Sequence, residues 1–146
     1  METPPNIKQT VPFFRVSDMA VSLRFYVDSL GFKLINKWEP RGTIEWCWLQ
    51  RDGAALMLQE YRDGQVPIHK PGVSVSICFQ CEDALALYHE FTAKGIVINE
   101  PFVGNHMWVV AFKDPDGFKL DFESPTDVPE ETKYVPPGPL KGSNGL

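Results

Sequence analysis

Cys78-Phe79-Gln80-Cys81 is a C-x-x-C, the spacing used for thiol–disulfide exchange or for half of a zinc site. Its setting argues for plain thiols instead. The run Val73–Phe79 alternates like a strand, and residues three apart on a strand point to opposite faces. No second C-x-x-C completes a tetrahedral site, so Cys47, Cys78 and Cys81 are expected to be buried structural thiols. Trp46 and Trp48 suggest binding rather than reaction. Spaced by two on one strand face, they form a slab for a planar ligand, worth about 0.5–1.5 kcal/mol per aromatic pair beyond area burial. The same two indoles could instead pack under helices as core. Ser74, Ser76 and Cys78 share one face of a strand, and Lys119, Asp121 and Glu123 one face of another. Hydroxyls there need water or a ligand as partner, and Asp121 opposite Ser76 could be a general base if burial raised its pKa. No matching acid or activated nucleophile accompanies them, so no mechanism follows.

These residues sit in a chain of 146 with a net charge of −5, from 14 Lys and Arg against 19 Asp and Glu. Apolar residues make up 43% and charged ones 23%, the profile of a globular domain. A domain of this length buries roughly 70% of its unfolded surface, so a disulfide or metal is not needed for folding. No apolar run approaches membrane-spanning length, and no Lys/Arg cluster offers a nucleic-acid footprint. Neither a membrane nor a nucleic acid is expected as a partner. Mild acidity with four Trp suits a cationic or aromatic small ligand. Met1–Thr10 has no apolar h-region, so the cytoplasm is the expected compartment.

Two helices are expected to position the candidates. Asp18 caps the first, whose Leu23, Tyr26, Val27 and Leu30 form an i, i+3, i+4, i+7 stripe ending at Gly31. Asp83 caps the second, whose Ala84, Leu87, Tyr88 and Phe91 repeat the stripe before Gly95. The caps are 65 residues apart and the closing glycines 64, which marks an internal repeat. Strands are expected at Val11–Val16, Lys33–Trp38, Ile44–Leu49 and Ala54–Glu60, then at Val73–Phe79, Val97–Asn99, Met107–Phe112 and Phe118–Glu123. Each half is β-α-β-β-β: a first module over 8–65 and a second over 73–124, within a single α+β domain. One helix cannot cover both faces of a four-stranded sheet, so the halves should form a curved mixed sheet with a concave face left partly open. Val66–Gly72 is the linker, and 125–146, rich in Pro and Gly, is a tail.

Val16-Ser17-Asp18-Met19, Ser22-Leu23-Arg24-Phe25-Tyr26, Leu30-Gly31-Phe32 and Asp114-Pro115-Asp116-Gly117-Phe118-Lys119-Leu120 resemble the vicinal-oxygen-chelate superfamily over about residues 8–124. That superfamily holds glyoxalases, extradiol dioxygenases, epimerases, fosfomycin-modifying enzymes and bleomycin-resistance binding proteins. The resemblance implies four metal-ligand positions. They fall here on Val11, Leu58 or Gln59, Ser76 and Asp121, with Glu60 adjacent to the second. Only Asp121 is a strong ligand, so no metal and no cofactor are expected. A substitute cluster of Glu60, His69, His106 and Asp121 would need shifted registers, and His89 falls off its helix's apolar stripe. Strand parity from Val11 sends Phe13 and Arg15 to the concave face. In glyoxalases an Arg at that offset contacts the anionic part of the substrate; here it could do likewise or pair with Asp121 or Glu123.

The resemblance and the residues together imply a metal-free binding protein in the style of the bleomycin-resistance proteins. It would sequester an amphipathic aromatic or cationic compound on Phe13, Arg15, Trp46, Trp48, Glu60, Ser76 and Asp121, and pair as a homodimer. The alternative is a metal-dependent glyoxalase-like lyase, epimerase or dioxygenase with non-standard ligands.

Overall fold

The computed structural model describes residues 3–62 and 74–137. The elements run β1 (Phe13–Val16), α1 (Met19–Leu23), β2 (Lys33–Trp38), β3 (Trp46–Arg51), β4 (Ala54–Glu60), β5 (Ser76–Gln80), α2 (Ala84–Ala93), β6 (Phe102–Gly104), β7 (Met107–Lys113) and β8 (Lys119–Pro125). The strands form two four-stranded sheets, β1-β4-β3-β2 and β5-β8-β7-β6. The order is the same in each, so the internal repeat is a repeat of topology. The expected linker Val66–Gly72, and His69 within it, lie outside the described residues.

Both helices start as the caps dictate: Asp18 accepts the Val21 N–H and Asp83 the Ala86 N–H. Each also has its first N–H satisfied by a side chain at the end of a strand, β4 for α1 and β8 for α2. Met19 N donates to Glu60 Oε2 at 2.7 Å, and Ala84 N donates to Ser124 Oγ at 2.8 Å. α1 continues directly into a π-helical stretch, Arg24–Ser29. Met19, Ser22, Tyr26 and Leu30 form the buried side in place of the expected stripe. Gly31, at φ +79°, then turns the chain into β2.

Two compact units divide the chain, and their borders differ from the two expected modules. One comprises Met1–Ile77 with Lys113–Lys119; the other Cys78–Phe112 with Leu120–Leu146. The β7–β8 turn belongs to the first unit for three physical reasons. Phe118 stacks on Phe14 at 4.2 Å between ring centroids. Tyr26 Oη donates to Asp114 Oδ2 at 2.7 Å, and Ser17 N donates to Asp116 Oδ1 at 3.0 Å.

The sixth strand lies at Phe102–Gly104 rather than Val97–Asn99, where Val97 is exposed. Asn105 and His106 both have positive φ, 50° and 62°, and close a two-residue hairpin in which Gly104 pairs with Met107. Gly104 therefore ends the strand. Part of the tail also has structure. Val103 N donates to Thr132 O, Glu131 N to Val103 O and Tyr134 N to Pro101 O, so the chain runs back along β6. The Tyr134 ring meets Tyr88 and Trp108, and its hydroxyl lies 2.7 Å from His89 Nε2.

Candidate functional site

In the first sheet, alternation separates a core face from an open face. Phe14 and Val16 of β1, Cys47 and Leu49 of β3, and Leu56 and Leu58 of β4 are buried. Their neighbours point the other way. The register arranges those neighbours in rows across the sheet. Arg15 is level with Gln59, Gln59 with Trp46, and Trp46 with Trp38. In the next row Phe13 is level with Met57, Met57 with Trp48, and Trp48 with Asn36. Phe13 is 48% exposed and Trp38 44%, while Trp46 and Trp48 are half-buried.

The structure thus brings Phe13, Arg15, Trp46 and Trp48 onto one face. The choice between Leu58 and Gln59 is resolved by register: Leu58 is core and Gln59 is on the open face. Glu60 does not join them, because its carboxylate is bound to the Met19 N–H at the start of α1. Trp38, Asn36 and Met57 join the face without having been singled out by sequence. For β2 the reason is a bulge between Leu34 and Asn36, which breaks the alternation that would have identified Trp38.

Ser76 and Asp121 lie on β5 and β8, adjacent strands of the second sheet; Ser76 is exposed and Asp121 buried. Ser74 lies before β5 in the left-handed region, φ 67°, so it is not part of that strand's face. Cys78 is exposed, not buried. Gln80 Nε2 donates to Cys78 Sγ at 3.0 Å and to Glu123 Oε2 at 3.4 Å. Local desolvation, then the Glu123 carboxylate, push the Cys78 thiol up to about 11, so it is a protonated thiol near neutrality. Cys47, in the core of the first sheet, is also pushed up to about 11 by burial. Cys81 Sγ donates to Phe79 O, and none of the three cysteines is in a disulfide.

Among the described residues no group of three His, Cys, Asp or Glu side chains is placed to share an ion. His89 is turned to Tyr134, and His106 sits in the hairpin turn with its N–H directed at the Glu130 carboxylate.

The sequence profile of the Glyoxalase/Bleomycin resistance protein/Dioxygenase superfamily matches residues 6–122. The chain belongs to that superfamily. Solved structures of similar fold agree. TnmS3, an antibiotic binding protein from Streptomyces sp. CB03234, is 22% identical, with 84% of this chain and 100% of that one covered at a TM-score of 0.63. UcmS2 is 16% identical over 80% of this chain and 98% of its own, at a TM-score of 0.65. A glyoxylase/bleomycin resistance protein/dioxygenase domain from Frankia sp. EAN1pec is 18% identical over 86% and 96%, at 0.67. Likeness at these identities is likeness of fold. No curated protein matches the chain significantly. Within the superfamily the fold hosts many activities, so the chemistry has to come from the side chains.

Proposed function

We propose that this superfamily member is a small-molecule binding protein that sequesters an amphipathic aromatic compound on the open face of its first sheet. One observation carries the reading. Trp46 and Trp48 stand half-buried on the face turned away from the core, while Cys47 and Leu49 between and beside them fill it. Large aromatic side chains left partly wet, with amide groups from Gln59 and Asn36 among them, are what an amphipathic ligand needs. The description of TnmS3 as an antibiotic binding protein supports a small-molecule ligand.

The residues at the superfamily's metal positions do not fit a first-row divalent ion. Val11 offers no donor, Gln59 a neutral carboxamide and Ser76 a hydroxyl, which leaves Asp121 as the one charged ligand. The reading therefore routes no step through a metal. It includes a homodimer in the cytoplasm. The dimer is supported by β2, which leaves Leu34, Ile35 and Trp38 exposed at the sheet edge.

Trp46→Ala tests the proposal. Calorimetric titration with 2-naphthamide is expected to show affinity reduced roughly 2–10-fold, the loss of one aromatic pair, with the unfolding transition nearly unmoved. Collapse of stability instead would make Trp46 a core residue and end the argument.

A further inference from the structure

We propose that the outer edge of β6, with an aromatic pocket beside it, is a receptor for an extended, tyrosine-bearing segment. Its occupant here is the chain's own residues 131–134; between two chains it is the same segment of a second copy. The proposal does not rest on the ligand face of the first sheet. Residues 131–134 lie antiparallel to β6. Phe102 bridges Lys133, and main-chain hydrogen bonds of 2.9, 2.9 and 2.8 Å join Val103 to Thr132, Glu131 to Val103 and Tyr134 to Pro101. The segment is held by one face only: Thr132 and Tyr134 are half-buried, whereas Glu131, Lys133 and Val135 are exposed. Peptides add themselves to sheet edges in this way, main-chain bonds supplying affinity and alternate side chains in pockets supplying specificity. The pocket takes Tyr134. Its ring stands edge-on to Tyr88 and His89 of α2 and Trp108 of β7, at 5.9, 5.6 and 5.8 Å between centroids. Its hydroxyl lies 2.7 Å from His89 Nε2.

This cover is an addition to the repeated topology. β2 holds in the first sheet the edge place that β6 holds in the second, and among the described residues no isolated bridge reaches β2. A strand that the repeat does not require can be exchanged without undoing the sheet it caps. Two features favour exchange with a second copy. That copy presents the identical segment, so every contact made within one chain is remade between two, and only the connection from β8 changes. The connection is short, residues 126–130, contains Pro129, and runs into Glu131 at φ +67°, a left-handed backbone that costs a residue with a side chain. Short hinges under strain are where segments swap. Tethered to its own chain, the segment sits at an effective concentration on the order of millimolar, which keeps the groove closed while Tyr134 is in place.

The test uses the full chain carrying Tyr134→Ala and, as probe, a fluorescently labelled peptide of residues 129–137, the segment as a second copy would present it. Anisotropy titration is expected to show the peptide binding Tyr134→Ala at least about ten-fold more tightly than wild type. The same peptide with Tyr134→Ala is expected to bind about ten-fold more weakly than the native peptide. Tyr134→Phe in the full chain keeps the ring contacts and should hold peptide binding within about three-fold of wild type. Equal binding of the peptide by wild type and Tyr134→Ala, or equal binding of the two peptides, overturns the receptor. Sedimentation velocity tests the second copy: at one concentration the dimer fraction is expected to be lower by about two-fold or more in Tyr134→Ala than in wild type. A dimer through β2 would not respond to that substitution, so an equal dimer fraction overturns the exchange and leaves the ligand-binding reading untouched.

Discussion

Asp114 shows how a single carboxylate can organise a turn at a cost that depends on pH. Its Oδ1 accepts the N–H groups of Asp116 at 2.9 Å and Phe118 at 2.8 Å, and its Oδ2 accepts the Tyr26 hydroxyl. These bonds favour the ionised form, but burial outweighs them and holds the carboxyl above the usual Asp range. Burial and the neighbouring Asp114 likewise drive the Tyr26 phenol far above its ordinary value, so it stays a donor. A carboxyl whose native pKa is raised binds its proton more readily folded than unfolded, so its charge costs stability at neutrality and that cost fades as pH falls through the native pKa. Asp114→Asn has no such charge. The stability of wild type relative to Asp114→Asn is therefore expected to rise as pH falls from 7 towards 4, as measured by urea unfolding at each pH. Tyr26→Phe strands the Oδ2 acceptor and is expected to cost about 1–3 kcal/mol at neutral pH.

At the scale of elements, the caps and the repeat were legible because each depends on local residue chemistry. Asp18 and Asp83 do what their positions predict. What was not legible depended on pairing across the chain. Glu60, beside a position where the superfamily holds a ligand, instead closes the first turn of α1, as Ser124 closes that of α2. The two have different side chains, so nothing local in the sequence marks them as equivalent. Glu60→Ala is expected to lose about 1–2 kcal/mol of stability, and Glu60→Gln less because its oxygen still accepts the Met19 N–H. Neither should change affinity for a naphthalene probe, which separates a capping role from a ligand role. The face itself was half legible. Alternation placed Trp46 and Trp48 together, but only the pairing register put Gln59 and Trp38 beside them, and a bulge hid the latter. The exposed position of Cys78 was missed for a related reason: a short apolar run looks the same whether one or both of its faces are covered.

At the scale of the whole chain, the first unit is assembled from two separate stretches of sequence. Half-buried Phe118 stacks its ring on Phe14 in a unit most of which is encoded before residue 78. Phe118→Ala is expected to cost about 1–3 kcal/mol, with amide hydrogen exchange accelerated in α1 and β1 although the substitution lies in the β7–β8 turn. The same interleaving has a meaning for biosynthesis. Tyr26 and its acceptor Asp114 are 88 residues apart, which at about 5–20 residues per second is roughly 4–18 s of translation. During that interval the emerging chain holds a phenol and a phenylalanine ring whose partners have not yet been made. The first half cannot finish folding on the ribosome ahead of the second, so the chain's vulnerability to proteases and to misassembly should fall only when the Asp114–Phe118 turn has left the exit tunnel.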